Sequence, residues 1–361
     1  MDITNGVNSR IQEKDTASVI TLFCMSKMTQ RNLAQVDFNR IMYPFNKILH
    51  YQKKFFSDQE NTENIESLLD LGLKELFPNN WSYPIFKQIV TNIHNACSAM
   101  RKTNVEKIAK KLQNIFRELL DDSQKSNNNM SAASLMMIRI FNILVNICQK
   151  IDNIKMVDNL FVVILSKNID IRCVKDRKIF NLYLGKFYLK RNEIQKAHKA
   201  FLNVYKTKND VFKSISSIYI AFTLVLLNKM PSKQFLDKYN LSDMDEFMHS
   251  IRNGKIVQFD HHLKSLQYIF MKIGLYHLMA VDAFYLCYRN LLYNVHLVFG
   301  NERKLFFNQI LKVIEIMKID LSEDMLISAL INLIAKNKIK GYVNISRSVL
   351  VLRKEDPFPV E

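Results

Sequence analysis

The chain has 361 residues, 48% of them apolar, with only 7 Gly and 6 Pro and a formal net charge of +17. That length supplies two domains or one elongated array, and the composition excludes a disordered or all-β chain in favour of a helix-rich soluble one. The charge suits polyanionic partners such as nucleic acid or an acidic protein; equally, the joint richness in Lys, Asn and Ile is what AT-biased coding yields without selection for charge.

Residues 1–15 are polar and are expected to fray. No apolar run precedes Val19, so no signal peptide is expected. From Thr16 onwards the pattern is a succession of amphipathic helices. Asp37 can cap a run carrying Phe38, Ile41, Met42, Phe45, Ile48 and Leu49, which Pro44 should bend or restart. Ile65, Leu68, Leu69 and Leu73 mark a second helix, Ile85, Ile89, Ile93 and Cys97 a third, and Val105, Ile108, Leu112, Ile115, Phe116 and Leu119 a fourth. Trp81 is placed to anchor the start of the third. Residues 121–134, DDSQKSNNNMSAAS, are the clearest linker. The apolar run over 129–147 is interrupted by Arg139, Asn142 and Asn146, so it does not make a membrane span. Cys24, Cys97, Cys148, Cys173 and Cys287 are odd in number and widely spaced, which argues for reduced, buried thiols rather than a disulfide framework.

Leu184, Gly185, Tyr188, Ala197 and Phe201 fall at the spacing of a tetratricopeptide-like helix pair, where Gly and Ala let two helices approach closely. One such unit points to a stack of antiparallel helices with a long side surface. Helices over 211–227, after Pro231, over 242–251 and over 256–271 continue it, punctuated by Gly254 and Gly274. Phe306, Phe307, Ile310, Leu311 and Ile314 then form one helical stripe, and Leu326, Ile327, Leu330, Ile331 and Ile334 another. Ser322 caps the latter, with Glu323 and Asp324 in its first turn. Beyond Lys340-Gly341 the period changes to two, Val343 and Ile345 and then Val349 and Val351 around Ser346-Arg347-Ser348, which predicts a hairpin. Helices followed by a hairpin make a winged helix.

The ordered run Lys229-Met230-Pro231, Phe235 to Tyr239, Gly254, Phe259, Leu263, Phe270, Gly274, Leu278, Tyr288 to Leu291, Lys340-Gly341-Tyr342 and Asp356-Pro357-Phe358-Pro359 resembles the PCI-domain family. Its nearest resemblance is to the branch that holds the PCI subunit of nuclear transcription-export complex two and the proteins named as twelfth signalosome subunit. The expected fold is all-α, a TPR-like helical-repeat solenoid ending in a winged helix with a small β-hairpin. Its expected divisions are residues 1–15, an N-terminal helical array over 16–170, the helical-repeat part of the PCI domain over 171–288 and the winged helix over 289–361. The resemblance implies a non-enzymatic scaffold in the nucleus, with the cytoplasm and the nuclear pore as further locations. It also implies a second, larger PCI subunit, a small acidic subunit and sequence-independent binding of RNA or DNA. A signalosome-type scaffold without nucleic-acid contact is the alternative. Where that family usually carries two basic residues after Arg289-Asn290-Leu291-Leu292, this chain has Tyr293 and Asn294.

Lys336, Lys338, Lys340, Arg347, Arg353 and Lys354 have no Asp or Glu among them in sequence, and such a cluster can neutralise phosphates and release counterions. A solvated face is the plainer account of the same residues. The helix opening with Glu323-Asp324 exposes Ser328, Asn332 and Lys336, so base readout by that helix is not expected. A further basic run, Lys175, Arg177, Lys178, Lys186, Lys190, Arg191, Lys196 and Lys199, suits the acidic subunit, an extension of the nucleic-acid track, or solubility alone. No catalytic, cofactor or metal constellation is expected: His261-His262 lacks further ligands at useful spacing, and phosphate loops and nucleophile elbows are missing.

Overall fold

The computed structural model describes residues 3–24, 35–79, 81–125, 132–167, 173–206 and 210–359. They divide into two compact units, Met1–Tyr183 and Leu184–Glu361. This division falls later in the chain than the boundary expected near residue 170.

The first unit is all helix. Its polar start is not frayed: Ile3–Gln12 form α1, because Val7 and Ile11, one turn apart, are both buried. Asp15 accepts a hydrogen bond from the Ser18 amide and starts α2, Thr16–Thr21. Asp37 caps only a 3-10 turn, Phe38–Arg40, and the helix begins afresh at α3, Phe45–Ser57, after the cis Tyr43–Pro44 bond. α4, Thr62–Leu71, ends in a π turn over Gly72–Leu76. Gly72 is required there, since a Cβ would lie 2.5 Å from the Phe86 ring. α5, Tyr83–Ala96, follows Trp81, whose carbonyl accepts from the Thr16 hydroxyl and whose ring lies 5.6 Å from that of Phe45. α6 is Lys102–Lys125 and α7 is Ala132–Lys150. The linker expected over 121–134 is therefore partly helical at both ends, and residues 126–131 lie outside the described residues.

α8, Ile154–Ser166, and the first part of α9, Val174–Lys190, complete this unit. The three residues that interrupt the apolar run of α7 join it to its neighbours. Arg139 pairs with Asp176 at 2.9 Å and donates to Thr91, Asn142 donates to the Asp176 carbonyl, and Asn146 contacts both His94 and Tyr183. Asp176 is 2% exposed, and a buried charge of that kind persists only when paired and hydrogen-bonded. Among the described residues no helix is long and apolar enough to cross a membrane.

In the second unit the expected close approach is present. A Cβ on Gly185 would lie 2.5 Å from the Phe201 ring of α10, Ile194–Tyr205. α11, Asp210–Leu226, packs along α10, with Phe201 and Tyr219 stacked at 4.7 Å. α12, Lys233–Lys238, is capped by Ser232, and α13 is Asp245–Arg252. The helix expected over 256–271 is broken at Leu266 into α14, Ile256–Ser265, and α15, Gln267–Ile273. A π turn at Met279–Ala283 leads into α16, Phe284–Val298.

The end of the chain is a winged helix with one strand more than the period predicts. β1, Lys304–Phe306, precedes α17, Phe307–Ile316, and α18, Glu323–Ala335; β2, Gly341–Asn344, and β3, Val349–Leu352, follow. The sheet is antiparallel in the order β1-β3-β2. β3 is buried along its whole length because it is central, so its Leu350 and Leu352 enter the core alongside Leu305, Leu326, Leu330 and Leu333. Each such fully buried side chain contributes about 1.5–3 kcal/mol. Three sequence placements change. Phe306 lies on the strand and is 44% exposed, Ile331 is 49% exposed instead of joining the buried stripe, and Ile345 leaves the strand for a 3-10 turn at Ile345–Arg347. Ser322 caps α18 as expected, accepting from the Met325 amide at 3.3 Å.

Candidate nucleic-acid interface

Several of the residues that carry the family resemblance meet in a buried joint. Arg289, on α16, is 5% exposed; its guanidinium donates to the Asn290 side chain at 2.8 Å and to the Phe358 carbonyl, and lies 5.5 Å from the ring centroids of Tyr293 and Phe358. Burial pulls its pKa down while Tyr293 and Asp356 pull it up; a guanidinium keeps its proton in such a site. Asn290 donates to the Ile251 carbonyl and to Asn228, and Asn294 to the Asn253 carbonyl. Between these contacts Gly254 sits at φ +67°, where a Cβ would strike the Leu291 backbone. Lys340 closes the far side, its amide on the Pro357 carbonyl at 2.8 Å and its ammonium on Asp356 at 2.6 Å. Tyr293 and Asn294, where the resemblance implied basic residues, are thus both used in holding the C-terminal strap, residues 353–359, and α13.

The six candidate cations are not one cluster. Lys336, at the end of α18, pairs with Asp282 at 3.4 Å and lies 4.7 Å from the Tyr285 ring centroid. Lys340 is held by Asp356, and Lys338 is half-buried. Arg347 is exposed in the turn between β2 and β3, which Asn344 caps by accepting from its amide. Arg353 and Lys354 are exposed at the opposite end of β3. At a rise of about 3.3 Å per residue, the two ends are on the order of 15–20 Å apart.

Backbone pairing adds a cation that spacing does not reveal. The Leu352 amide donates to the Arg303 carbonyl at 2.8 Å, the Arg303 Nε donates back to the Leu352 carbonyl at 2.9 Å, and the Arg353 amide donates to the Lys340 carbonyl at 2.8 Å. Arg303, Lys340, Arg353 and Lys354 therefore gather at one end of the wing, with Lys304 next along β1. Among the described residues no carboxylate lies within ion-pair distance of Arg303, Lys304, Arg347, Arg353 or Lys354. Only the Gly300-Asn301 turn before a short alternating stretch could have signalled β1, and a three-residue strand is too short for a period to resolve.

On α18, Ser328, Asn332 and Lys336 are exposed as expected, interleaved with exposed Met325 and Ile331. Glu323 accepts from the Ser348 hydroxyl at 2.8 Å, so this carboxylate braces the wing. The second basic run is dispersed. Lys186 is turned over the Tyr219 ring, with its pKa lowered by burial and then by Lys190; Arg191 stacks on Phe187 and Lys196 pairs with Glu193 at 2.5 Å. Lys175, Arg177, Lys190 and Lys199 are exposed, and Lys178 is half-buried. His262 lies 3.7 Å from Glu246, and among the described residues no three His, Cys, Asp or Glu side chains gather as a metal site.

No family model matches this chain. It is similar to the PCI domain-containing protein 2 homolog of Caenorhabditis briggsae, 23% identical over 343 residues that cover 86% of this chain and 79% of that protein. PCI domain-containing protein 2 of Xenopus laevis is 26% identical over 298 residues, 78% of this chain and 73% of its own length. The Protein CSN12 homolog of Schizosaccharomyces pombe is 25% identical over 187 residues, 50% and 44%. These relatives are named as PCI-domain proteins or as a CSN12 homolog, and the helical array that runs into a winged helix in the second unit accords with a similarity to the PCI-domain family.

Proposed function

We propose that the protein is a scaffold subunit of a nuclear complex that couples transcription to mRNA export. In this reading it pairs with a second, larger PCI subunit, holds a small acidic subunit, and grips RNA or DNA without reading sequence. The grip comes from the exposed end of the wing, with Lys336, Lys338 and Arg347 as flanking contacts. The observation that supports it most is the gathering of Arg303, Arg353 and Lys354 with no carboxylate in ion-pair range, since exposed cations held by a rigid sheet displace counterions from a phosphate backbone. The exposed Lys190 and Lys199 of the second unit are the residues offered to the acidic subunit.

The test is binding of a labelled single-stranded RNA across a salt series, by the protein alone and with its PCI partner. Arg353→Glu with Lys354→Glu should weaken binding tenfold or more and flatten the salt dependence. Binding indifferent to those changes and to Arg347→Glu would favour a signalosome-type scaffold without nucleic-acid contact, the reading supported by similarity to the Protein CSN12 homolog.

A further inference from the structure

The outward face of the wing sheet combines exposed aromatic rings with cations. Register places Lys304, Val351 and Tyr342 in one row across β1, β3 and β2, and Phe306, Val349 and Asn344 in the next. The intervening row, Leu305, Leu350 and Val343, turns to the core, so alternation turns the other two rows outward. Val349 and Val351, on the central strand, are 4% and 8% exposed, whereas Phe306 is 44% and Tyr342 58% exposed on the edge strands. Such large exposed rings on a sheet that already has a full core on its other side need a reason.

Gly341 explains why Tyr342 stands where it does. A Cβ at that position would strike the Val351 carbonyl, so the strand carrying Tyr342 can come this close to β3 only with glycine. Phe306 lies on the opposite edge strand, two strand spacings across and two residues along, roughly 12 Å away. The same outward alternation continues from Val351 to Arg353 and from Tyr342 back to Lys340, so the basic end of the wing borders the aromatic face.

We propose that this face binds single-stranded nucleic acid by stacking unpaired bases on Tyr342 and Phe306, while Lys304 and Arg353 track the phosphates. The inference rests on the nucleic-acid reading above and adds a strand preference to it. Rings stack on any base, which gives sequence tolerance, but they cannot reach a base that is already stacked inside a duplex. Charge favours this occupant over a protein: exposed Lys304 and Arg353 stand on the rings' side of the sheet with no carboxylate in ion-pair range among the described residues, exposed Glu302 and Glu355 lie beyond the strand ends, and Asp356 is engaged by Lys340.

The 361-residue chain is titrated with a labelled uridine 15-mer and with a duplex of equal length, using Tyr342→Ala, Phe306→Ala, Tyr342→Phe and Arg353→Glu. Each alanine variant should weaken single-strand binding roughly tenfold with duplex binding unchanged, and Tyr342→Phe should bind like the parent. Arg353→Glu should weaken both. Equal loss for strand and duplex in the alanine variants, or no loss in either, overturns the stacking proposal while leaving the charge-based reading intact. A parent protein that binds neither probe overturns both. Loss of a pulled-down PCI partner in Tyr342→Ala, with single-strand binding unchanged, assigns the face to protein contact instead. The exposure of both rings and the Tyr342→Phe control separate these outcomes from misfolding.

Discussion

Arg289 and Arg353 are both cations of the second unit and both stand near the C-terminal strap, yet their environments are opposite. Arg289 is buried, spends its donors on Asn290 and the Phe358 carbonyl, and lies between two rings. Arg353 is exposed, its side chain has no carboxylate in range among the described residues, and its backbone ties β3 to Lys340. The first kind of arginine fixes a shape; the second leaves its charge for a partner. The contrast teaches that Arg289, Asn290, Gly254 and Phe358, which carry part of the family resemblance, fix a shape, whereas Arg303, Arg353 and Lys354, which stand outside that resemblance, leave their charge exposed on the surface that the joint positions.

The sharpest way to break that comparison is at the joint. Arg289→Met should destabilise the protein by about 3 kcal/mol or more, since it strands a buried carbonyl and amide and removes two ring contacts. Arg289→Lys should recover little, because one ammonium cannot reproduce the planar fork. Urea unfolding checks both, and a loss near zero for Arg289→Met would remove the joint from the account. Next in size is a pair of glycines at nearly the same φ. Gly254→Ala combines left-handed strain with collision against Leu291, while Gly274→Ala, with nothing within 4 Å of the added carbon, meets only the strain. The latter should cost about 1 kcal/mol and the former at least twice that. Equal melting shifts for the two would mean that α13 and α16 do not approach as described.

How much of this was legible in the sequence depends on range. Ser322 announced α18 because capping is local, and Gly185 with Phe201 announced a close helix pair because the spacing of a helix hairpin is short. Arg139, Asn142 and Asn146 were visible as interruptions of an apolar helix, but their partners Asp176, His94 and Tyr183 come from other helices. The Arg289–Phe358 contact joins residues far apart in the chain, and no period connects them. The candidate cations failed as a single cluster for the same reason. Their stretch contains no carboxylate, yet Asp282 and Asp356 reach Lys336 and Lys340 from outside it, and Arg303 arrives through a strand of three residues. Ile331 and Phe306 satisfied a helical stripe in sequence and are exposed in the fold, because a stripe wider than the contact leaves its margins in solvent.

The exposed side of the comparison is probed by charge. Arg353→Glu should weaken nucleic-acid binding more than Arg347→Glu, by about tenfold against two- or threefold, because only Arg353 has Arg303 and Lys354 beside it. Stability should be unmoved by either change, within about 0.5 kcal/mol; a large shift would show that Arg353 belongs with Arg289 after all.

The smallest effect is in pH, and it tests the buried side again. His296 packs its ring 5.5 Å from that of Phe358, and burial lowers its pKa from the ordinary 6.5 against a backbone hydrogen bond at Glu302 that raises it. A histidine whose folded pKa lies below its unfolded one is neutral in both states well above pH 6.5. As the pH falls through that value the unfolded chain takes up the proton first, so stability is lost towards acid, down to the depressed folded pKa. His198 in the same unit shifts in the same direction, with burial again the first cause. The unfolding midpoint should therefore drop between about pH 7.5 and 5.5, and His296→Asn should reduce that slope while lowering stability modestly throughout. An unchanged slope in the variant would mean that the strap over His296 opens enough to hydrate the ring, and the Arg289 joint would then be looser than its contacts require.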